Sequence, residues 1–371
     1  MKSNSVWIIV LMIFLVISTA GTSTVHSAES VSRDQIGRMI MVGFRGTTIQ
    51  PNSPIVQQIK NGDVGGVILF ETDVPTGQDN RNIRSPKQIK RLIDNLQSLT
   101  DRELLIGVDQ EGGQIQRLKP EDSFEDYPSH QSLGDRNDTS FTFRTANRLA
   151  KNLREYGFNV NFAPVVDLNL NPENPVIGSL DRSFGKNPKV VIWNAYQYIR
   201  AHRENHVLPV LKHFPGHGSS RRDSHKGFVD VTKTWRPEEL KPYERLIDGG
   251  MIPAVMTAHI YNHEWDPTWP ASLSRSVINV LRSDFQHKGL VFTDDLQMKA
   301  LRDHYSRKVI LRQSLKAGSD VLIFANNSVY EPKVASQAVD TIKSMVEEGT
   351  INPQTIQTSN QRIKRTLENI E

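Results

Sequence analysis

Leu290-Val291-Phe292-Thr293-Asp294-Asp295 is the stretch that decides how this chain folds. Three apolar residues and a threonine lead straight into two carboxylates. Parallel strands covered by helices read as short, near-continuous apolar runs, because neither face meets water. The same kind of run recurs at 39–44, 66–70, 104–109, 159–163, 210–213, 255–259 and 321–324, which with 290–294 makes eight. Amphipathic segments fall between them at 86–99, 143–156, 189–204, 237–247, 277–285 and 306–317, and two more follow at 332–347 and 356–369. In the first, Ile89, Leu92, Ile93 and Leu96 share one helical face. Eight strands alternating with helices predict an α/β fold, a single (β/α)8 TIM-type barrel. A doubly wound open sheet is the alternative. No Pro/Gly/Ser-rich linker divides the chain. The stretches 169–178 and 219–226 read as loops.

The length of 371 residues suits one large barrel or two ordinary domains. The hydrophobic share of 37% and charged share of 23% are those of a globular protein. A net charge of +4 is small for this length and forms no basic stripe with interleaved aromatics, so no nucleic-acid partner is expected. Mild basicity would favour an anionic envelope.

The first residues differ in kind. Lys2 precedes the apolar run 7–17, and small and polar residues follow from Ser18 to Ala28. This is the layout of a secretory signal peptide, assigned to 1–28, with cleavage after Ala20 or near Ser27-Ala28. An uncleaved anchor is the alternative, although the run is shorter than the roughly 20 residues that span a bilayer. Residues 31–371 form the catalytic domain in this reading. The mature protein is expected to be secreted or associated with a bacterial cell envelope, without stable membrane insertion. The chain has no cysteine, which excludes disulfides, thiolate nucleophiles and thiolate metal sites.

In a barrel, reactive groups gather at the C-terminal strand ends and in the loops after them. Those ends carry Asp109, Lys212, His213, His259 and Asp294, and the loop after the fifth strand carries His217, Asp223 and His225. A carboxylate at the end of an apolar strand is poorly hydrated, as a nucleophile must be. The alternative is an N-cap, because Asp295 precedes the polar start of a helix-like segment, and one aspartate could cap while the other attacks. Asp223-Ser224-His225 places a carboxylate two residues from an imidazole, a spacing that orients the ring and raises its basicity. A solvated polar loop reads the same way. In Lys212-His213-Phe214-Pro215-Gly216-His217-Gly218, Pro215 and Gly216 argue against a helix that would align the two histidines on a metal. Lys212 and His213 suit hydrogen bonds to sugar hydroxyls. In Asp109-Gln110-Glu111-Gly112-Gly113 a carboxylate beside a glycine pair can accept two hydroxyl hydrogens, and Arg117 and Arg182 offer planar forks.

VDQEGG, APVVDLN, DRSFG, KHFPGHG, DSH and FTDDL occur in this order. Together, from about residue 33 to 365, they resemble glycoside hydrolase family 3, most closely its bacterial β-N-acetylglucosaminidase branch. The resemblance implies that Asp294 is the nucleophile, Asp295 its supporting neighbour, and His225 with Asp223 the acid/base dyad. It implies sugar-binding roles for Asp109, Arg117, Arg182, Lys212, His213 and His217. Many family members carry the acid/base on a second domain, and here the dyad loop is expected to supply it. Gln114 stands where arginine is frequent, a departure that bears on aglycone preference. Exported relatives from Gram-positive bacteria commonly carry a further C-terminal domain, whereas this chain stops after the barrel.

The implied reaction is exo-acting, retaining hydrolysis of terminal β-linked GlcNAc through a glycosyl-enzyme. The expected substrates are small carbohydrates: GlcNAc–MurNAc, muropeptide fragments or chitooligosaccharides. No metal and no cofactor are expected. Water is the expected acceptor and phosphate a possible competitor, since an imidazole repels anions less than a carboxylate does. The rivals are a β-glucosidase or β-xylosidase of the same family and a metal-dependent hydrolase on the same barrel. The latter would want His-x-His after the first strand, where Phe44-Arg45-Gly46 stands.

Overall fold

The computed structural model describes residues 31–251 and 254–370. The expected signal peptide lies outside the described residues. All eight expected strands are present: β1 (Ile40–Gly43), β2 (Gly66–Ile68), β3 (Leu105–Val108), β4 (Val160–Asn161), β5 (Leu208–Phe214), β6 (Ala254–Thr257), β7 (Val291–Thr293) and β8 (Leu322–Phe324). They pair in parallel in the order β7-β6-β5-β4-β3-β2-β1-β8. The two ends then meet. Phe292 bridges Val321, Thr293 N–H donates to the Val321 carbonyl at 3.0 Å, and Leu296 N–H donates to that of Ile323 at 2.9 Å. That nearly closed ring answers the open-sheet alternative, which would leave two free edges.

Side chains fill the ring. Phe162, just past β4, meets Phe292 of β7 edge-on with centroids 5.7 Å apart. These strands are not neighbours, so the contact crosses the interior. Gly107 makes room for it, since a Cβ there would lie 2.7 Å from the Phe162 ring. The interior is a packed core and not a pore.

Helix boundaries follow local chemistry. The segment expected at 143–156 begins at Thr139, because Asp138 caps it by accepting from Phe141 N–H at 2.9 Å, and it ends at Gly157 with φ 98°. Helix Pro188–Glu204 starts where Asn187 accepts from Lys189 N–H and Pro188 supplies a preset φ. The segment expected at 277–285 is helix Arg275–Asn279 continuing into a π-turn, Val280–Asp284. Short helices Arg33–Gly37, Pro54–Lys60, His130–Arg136 and Lys299–Arg302 were not expected, being too short for a visible period. Two small hairpins, Thr72–Asp73 with Gln78–Asp79 and Gln110–Gly112 with Ile115–Gln116, rise from the ends of β2 and β3.

Candidate active site

The floor is an array of buried ion pairs. Asp109 ends β3 and the hairpin turns at once through Gly112 and Gly113, with φ 99° and 60°. A Cβ on Gly112 would lie 2.3 Å from the Pro128 carbonyl, so the sharp return requires glycine. Lys212, near the end of β5, donates to Asp109 Oδ1 at 2.7 Å and lies 2.8 Å from Glu111 Oε1. Arg182 holds both oxygens of Glu111 in a fork, Nε to Oε2 at 2.8 Å and Nη2 to Oε1 at 2.7 Å. Arg117 donates to Glu71 Oε1 at 3.1 Å and faces Asp109 Oδ2 at 3.6 Å. Burial opposes ionisation of Asp109 and Glu111, but Lys212 and Arg117 around the one, and Arg182 and Lys212 around the other, hold both below the usual carboxylate range. The cations are thereby pre-aimed at the cavity.

Asp167, fully buried just past β4, organises the next layer. Its Oδ2 lies 2.7 Å from His213 Nδ1, and its Oδ1 accepts the His217 backbone N–H at 2.7 Å. The carboxylate fixes the His213 ring so that Nε2 faces the cavity side, 3.4 Å from Arg182 Nη2. Burial works against the Asp167 charge, and His213 more than restores it.

Asp294 and Asp295 end the apolar run that begins at Leu290, and their environments drive them apart. Burial disfavours an ionised Asp294, but His259, His213 and His225 surround it, and Asp295 N–H donates to its Oδ1 at 2.7 Å. It titrates near about 2. Asp295 is pushed up to about 6 by burial, against hydrogen bonds from Ala325 N–H at 2.9 Å and Gln297 N–H at 3.1 Å. Two adjacent carboxylates with diverging acidity mark a division of labour. Asp294 stays ionised toward the cavity, while Asp295 ties the loops after β7 and β8 together. His259 contacts the Asp295 carbonyl through Nε2 at 2.9 Å and Ser272 Oγ through Nδ1 at 2.7 Å.

The dyad sits on the loop after β5. Asp223 Oδ1 lies 2.8 Å from His225 Nδ1 and accepts the His225 backbone N–H at the same distance. With Nδ1 engaged, Nε2 is the free ring atom. Crowding by protein lowers the ring's basicity, but the bond to Asp223 and the charges of Asp294 and Asp223 outweigh this, and the ring titrates above the usual histidine range. The His225 side chain nonetheless keeps 62% of its surface open. It stands at a lip, walled by protein on several sides and wet on the rest.

Asp109, Arg117, Arg182, Lys212, His213, Asp223, His225 and Asp294 all line one cavity of about 530 Å3. That is within the roughly 300–1,000 Å3 of small-molecule clefts. A wider groove of about 910 Å3 runs between helices Arg307–Ala317 and Pro353–Glu368, and none of the candidate residues lines it. His217 is a correction. It lies behind the cavity, with Nδ1 2.8 Å from Ser220 Oγ and Nε2 3.4 Å from Ser224 Oγ, and burial drives its basicity down to about 4. Its ring contacts serines of the dyad loop and does not line the cavity. Sequence reasoning missed Glu71 and Asp167, although Asp167 ends an apolar run much as Asp294 does. Among the described residues, no group of three or more His, Asp or Glu is arranged to hold a metal ion.

The family model "Glycosyl hydrolase family 3 N terminal domain" matches residues 31–366. The chain belongs to glycosyl hydrolase family 3. A β-hexosaminidase of Nitrosomonas eutropha is 32% identical over 301 residues, covering 78% of this chain and 80% of that protein. β-Hexosaminidase A of Pseudoalteromonas piscicida is 28% identical, and its alignment covers 94% of this chain but 62% of its own length. Among solved structures, a family 3 β-N-acetylglucosaminidase from Paenibacillus sp. FPU-7 superposes with a TM-score of 0.83 at 31% identity, covering 92% of this chain and 62% of that one. A family 3 glycosyl hydrolase from Mycobacterium smegmatis gives 0.78 at 28%, covering 91% and 98%. The chain is a glycoside hydrolase of the β-hexosaminidase type.

Proposed function

We propose that this hydrolase is a retaining, exo-acting β-N-acetylglucosaminidase that removes terminal β-linked GlcNAc from peptidoglycan fragments or chitooligosaccharides. The observation that carries the reading is the pairing of a deep, ionised Asp294 with an Asp223–His225 dyad at the lip of the same cavity. Asp294 attacks the anomeric carbon and the bond to the leaving oxygen breaks. His225 Nε2 gives its proton to that oxygen, and a glycosyl-enzyme remains. Water then donates a proton to His225 Nε2, its oxygen bonds to the anomeric carbon, and Asp294 departs as carboxylate. Asp223 holds the ring tautomer and steadies its charged form, as the aspartate of a serine triad does.

Asp109, Arg117, Arg182, Lys212 and His213 would clasp the hydroxyls of one terminal sugar, and a blind floor favours exo action. We infer export from the layout of residues 1–28. The test compares chromogenic β-GlcNAc and β-glucose glycosides, then chitobiose and GlcNAc–MurNAc, with wild type and His225→Ala. The reading expects preference for GlcNAc over glucose, turnover of both disaccharides, and a His225→Ala defect concentrated on poor leaving groups. Equal rates on the two monosaccharide glycosides would break the substrate assignment. A defect indifferent to leaving group would break the acid/base assignment.

A further inference from the structure

Glu239 is fully buried and forms no ion pair among the described residues. It lies in the turn Pro237–Leu240, ahead of helix Lys241–Asp248. One of its oxygens has an ordinary job: Oε1 accepts the Arg236 N–H at 3.2 Å and so closes the start of that turn. The other does not. Oε2 accepts the Gly218 N–H at 3.0 Å and lies 3.4 Å from the Ser219 N–H, the two amides from which the dyad loop departs. The fit is close, since a Cβ on Gly216 would lie 2.5 Å from Glu239 Cβ, and one on Gly218 would lie 1.7 Å from the Leu168 carbonyl.

From those amides the restraint runs on to the dyad. His217, whose own N–H is held by Asp167, contacts Ser220 and Ser224. Asn174 Nδ2 donates to the His217 carbonyl at 2.8 Å and to Ser220 Oγ at 3.0 Å. Ser224 is the residue between Asp223 and His225. A buried carboxylate without a cation is an expensive way to start a turn, because a neutral glutamine caps equally well. The cost shows in its acidity. Burial pushes Glu239 up to about 7, even though the Ser219 hydroxyl and the Arg236 and Ser219 backbone N–H groups favour its charge. The second oxygen therefore has a use other than the cap.

We propose that Glu239 is a positioning residue for the acid/base: it anchors the root of the dyad loop through Gly218 and Ser219 and so sets where His225 meets the leaving oxygen. The inference rests on the His225 assignment above. The discriminating variant is Glu239→Gln. Glutamine has one acceptor oxygen where Glu239 uses two, so its NH2 must face either the Arg236 N–H or the Gly218 and Ser219 N–H groups, donor against donor. Either way the two-sided clamp between the turn and the root of the dyad loop is broken. Glu239→Asp, which keeps the charge but shortens the reach, serves as a second variant.

Each is assayed on chitobiose and on a dinitrophenyl β-GlcNAc glycoside, whose leaving group departs without a proton, with and without azide. Both variants are expected to lose about 10-fold or more in kcat/KM on chitobiose, a part of the roughly 100- to 10,000-fold that a positioned general acid supplies. On the dinitrophenyl glycoside kcat/KM is expected to stay within about 3-fold of wild type. Azide, which needs no general base, is expected to raise kcat there. Equal losses on both substrates would mean a general structural role and overturn the proposal, as would no loss on either. If His225→Ala itself shows no leaving-group dependence, the acid/base assignment fails. If His225→Ala shows it and the Glu239 variants do not, only this inference fails.

Discussion

The floor of the cavity and the loop at its lip are built in opposite ways. On the floor, Asp109, Glu111, Arg182 and Lys212 are locked by charge-assisted contacts of 2.7–2.8 Å, with Glu111 and Lys212 buried and the other two only partly open to water. At the lip, Asp223 and His225 hold each other, and the ring of His225 stays largely solvated. The groups proposed to recognise one sugar are preorganised, so little ordering remains to be done on binding. The group proposed to take up and release a proton in one cycle needs water and a titratable ring. Asp294 links the two regions, half-buried like Asp109 yet tuned by three histidines, one of them from the lip.

Breaking the link should have the largest effect. Asp294→Ala removes the proposed nucleophile and is expected to lower kcat by about 10,000-fold or more on every substrate, measured with the dinitrophenyl glycoside. The lip comes next. His225→Ala is expected to lose about 100- to 10,000-fold on chitobiose and far less on the dinitrophenyl glycoside.

The floor fails differently. Glu111→Gln leaves Arg182 and Lys212 buried around a neutral amide and should cost about 3–5 kcal/mol of folding stability, read by urea denaturation, because it strands charge in the interior. An equal stability loss in His225→Ala would erase the contrast between the two regions.

The smallest effect is a pH shift. His225 must be protonated to act as acid and its affinity for protons is raised, so kcat/KM should fall as pH rises above the usual histidine range. Asp294 ionises near about 2, so its own limb lies far to the acid side. The bond to Asp223 is the largest contribution that raises His225, so Asp223→Asn should move the alkaline limb to lower pH. A limb that does not move would detach Asp223 from the ring.

The same contrast governs what the sequence discloses. The strands were legible because burial on both faces leaves apolar runs, and the polar groups that reach the cavity from their ends were legible because those runs stop at polar residues. Asp109, Lys212, His213 and Asp294 all sit at such stops. Glu111 and Asp167 work through other side chains, and their partners lie 71 and 46 residues away, beyond any local pattern. Asp167 had a usable signal, an apolar run ending in Asp-Leu-Asn. The place of His217 outside the cavity lining was not legible, because H-F-P-G-H shows which residues are present but not which way their rings face. The role proposed for Glu239 depends on which amides its second oxygen faces, and that is a property of the folded loop alone.

The central claim is that Asp294 and His225 act on one sugar in two steps. The most direct test is mass spectrometry of His225→Ala incubated with the dinitrophenyl β-GlcNAc glycoside. That leaving group needs no acid, while the second step lacks its base, so the intermediate should accumulate. The account predicts one N-acetylhexosaminyl adduct on the peptide that carries Asp294, discharged by azide. A variant that turns the substrate over with no adduct, or an adduct mapped to another carboxylate, would contradict it.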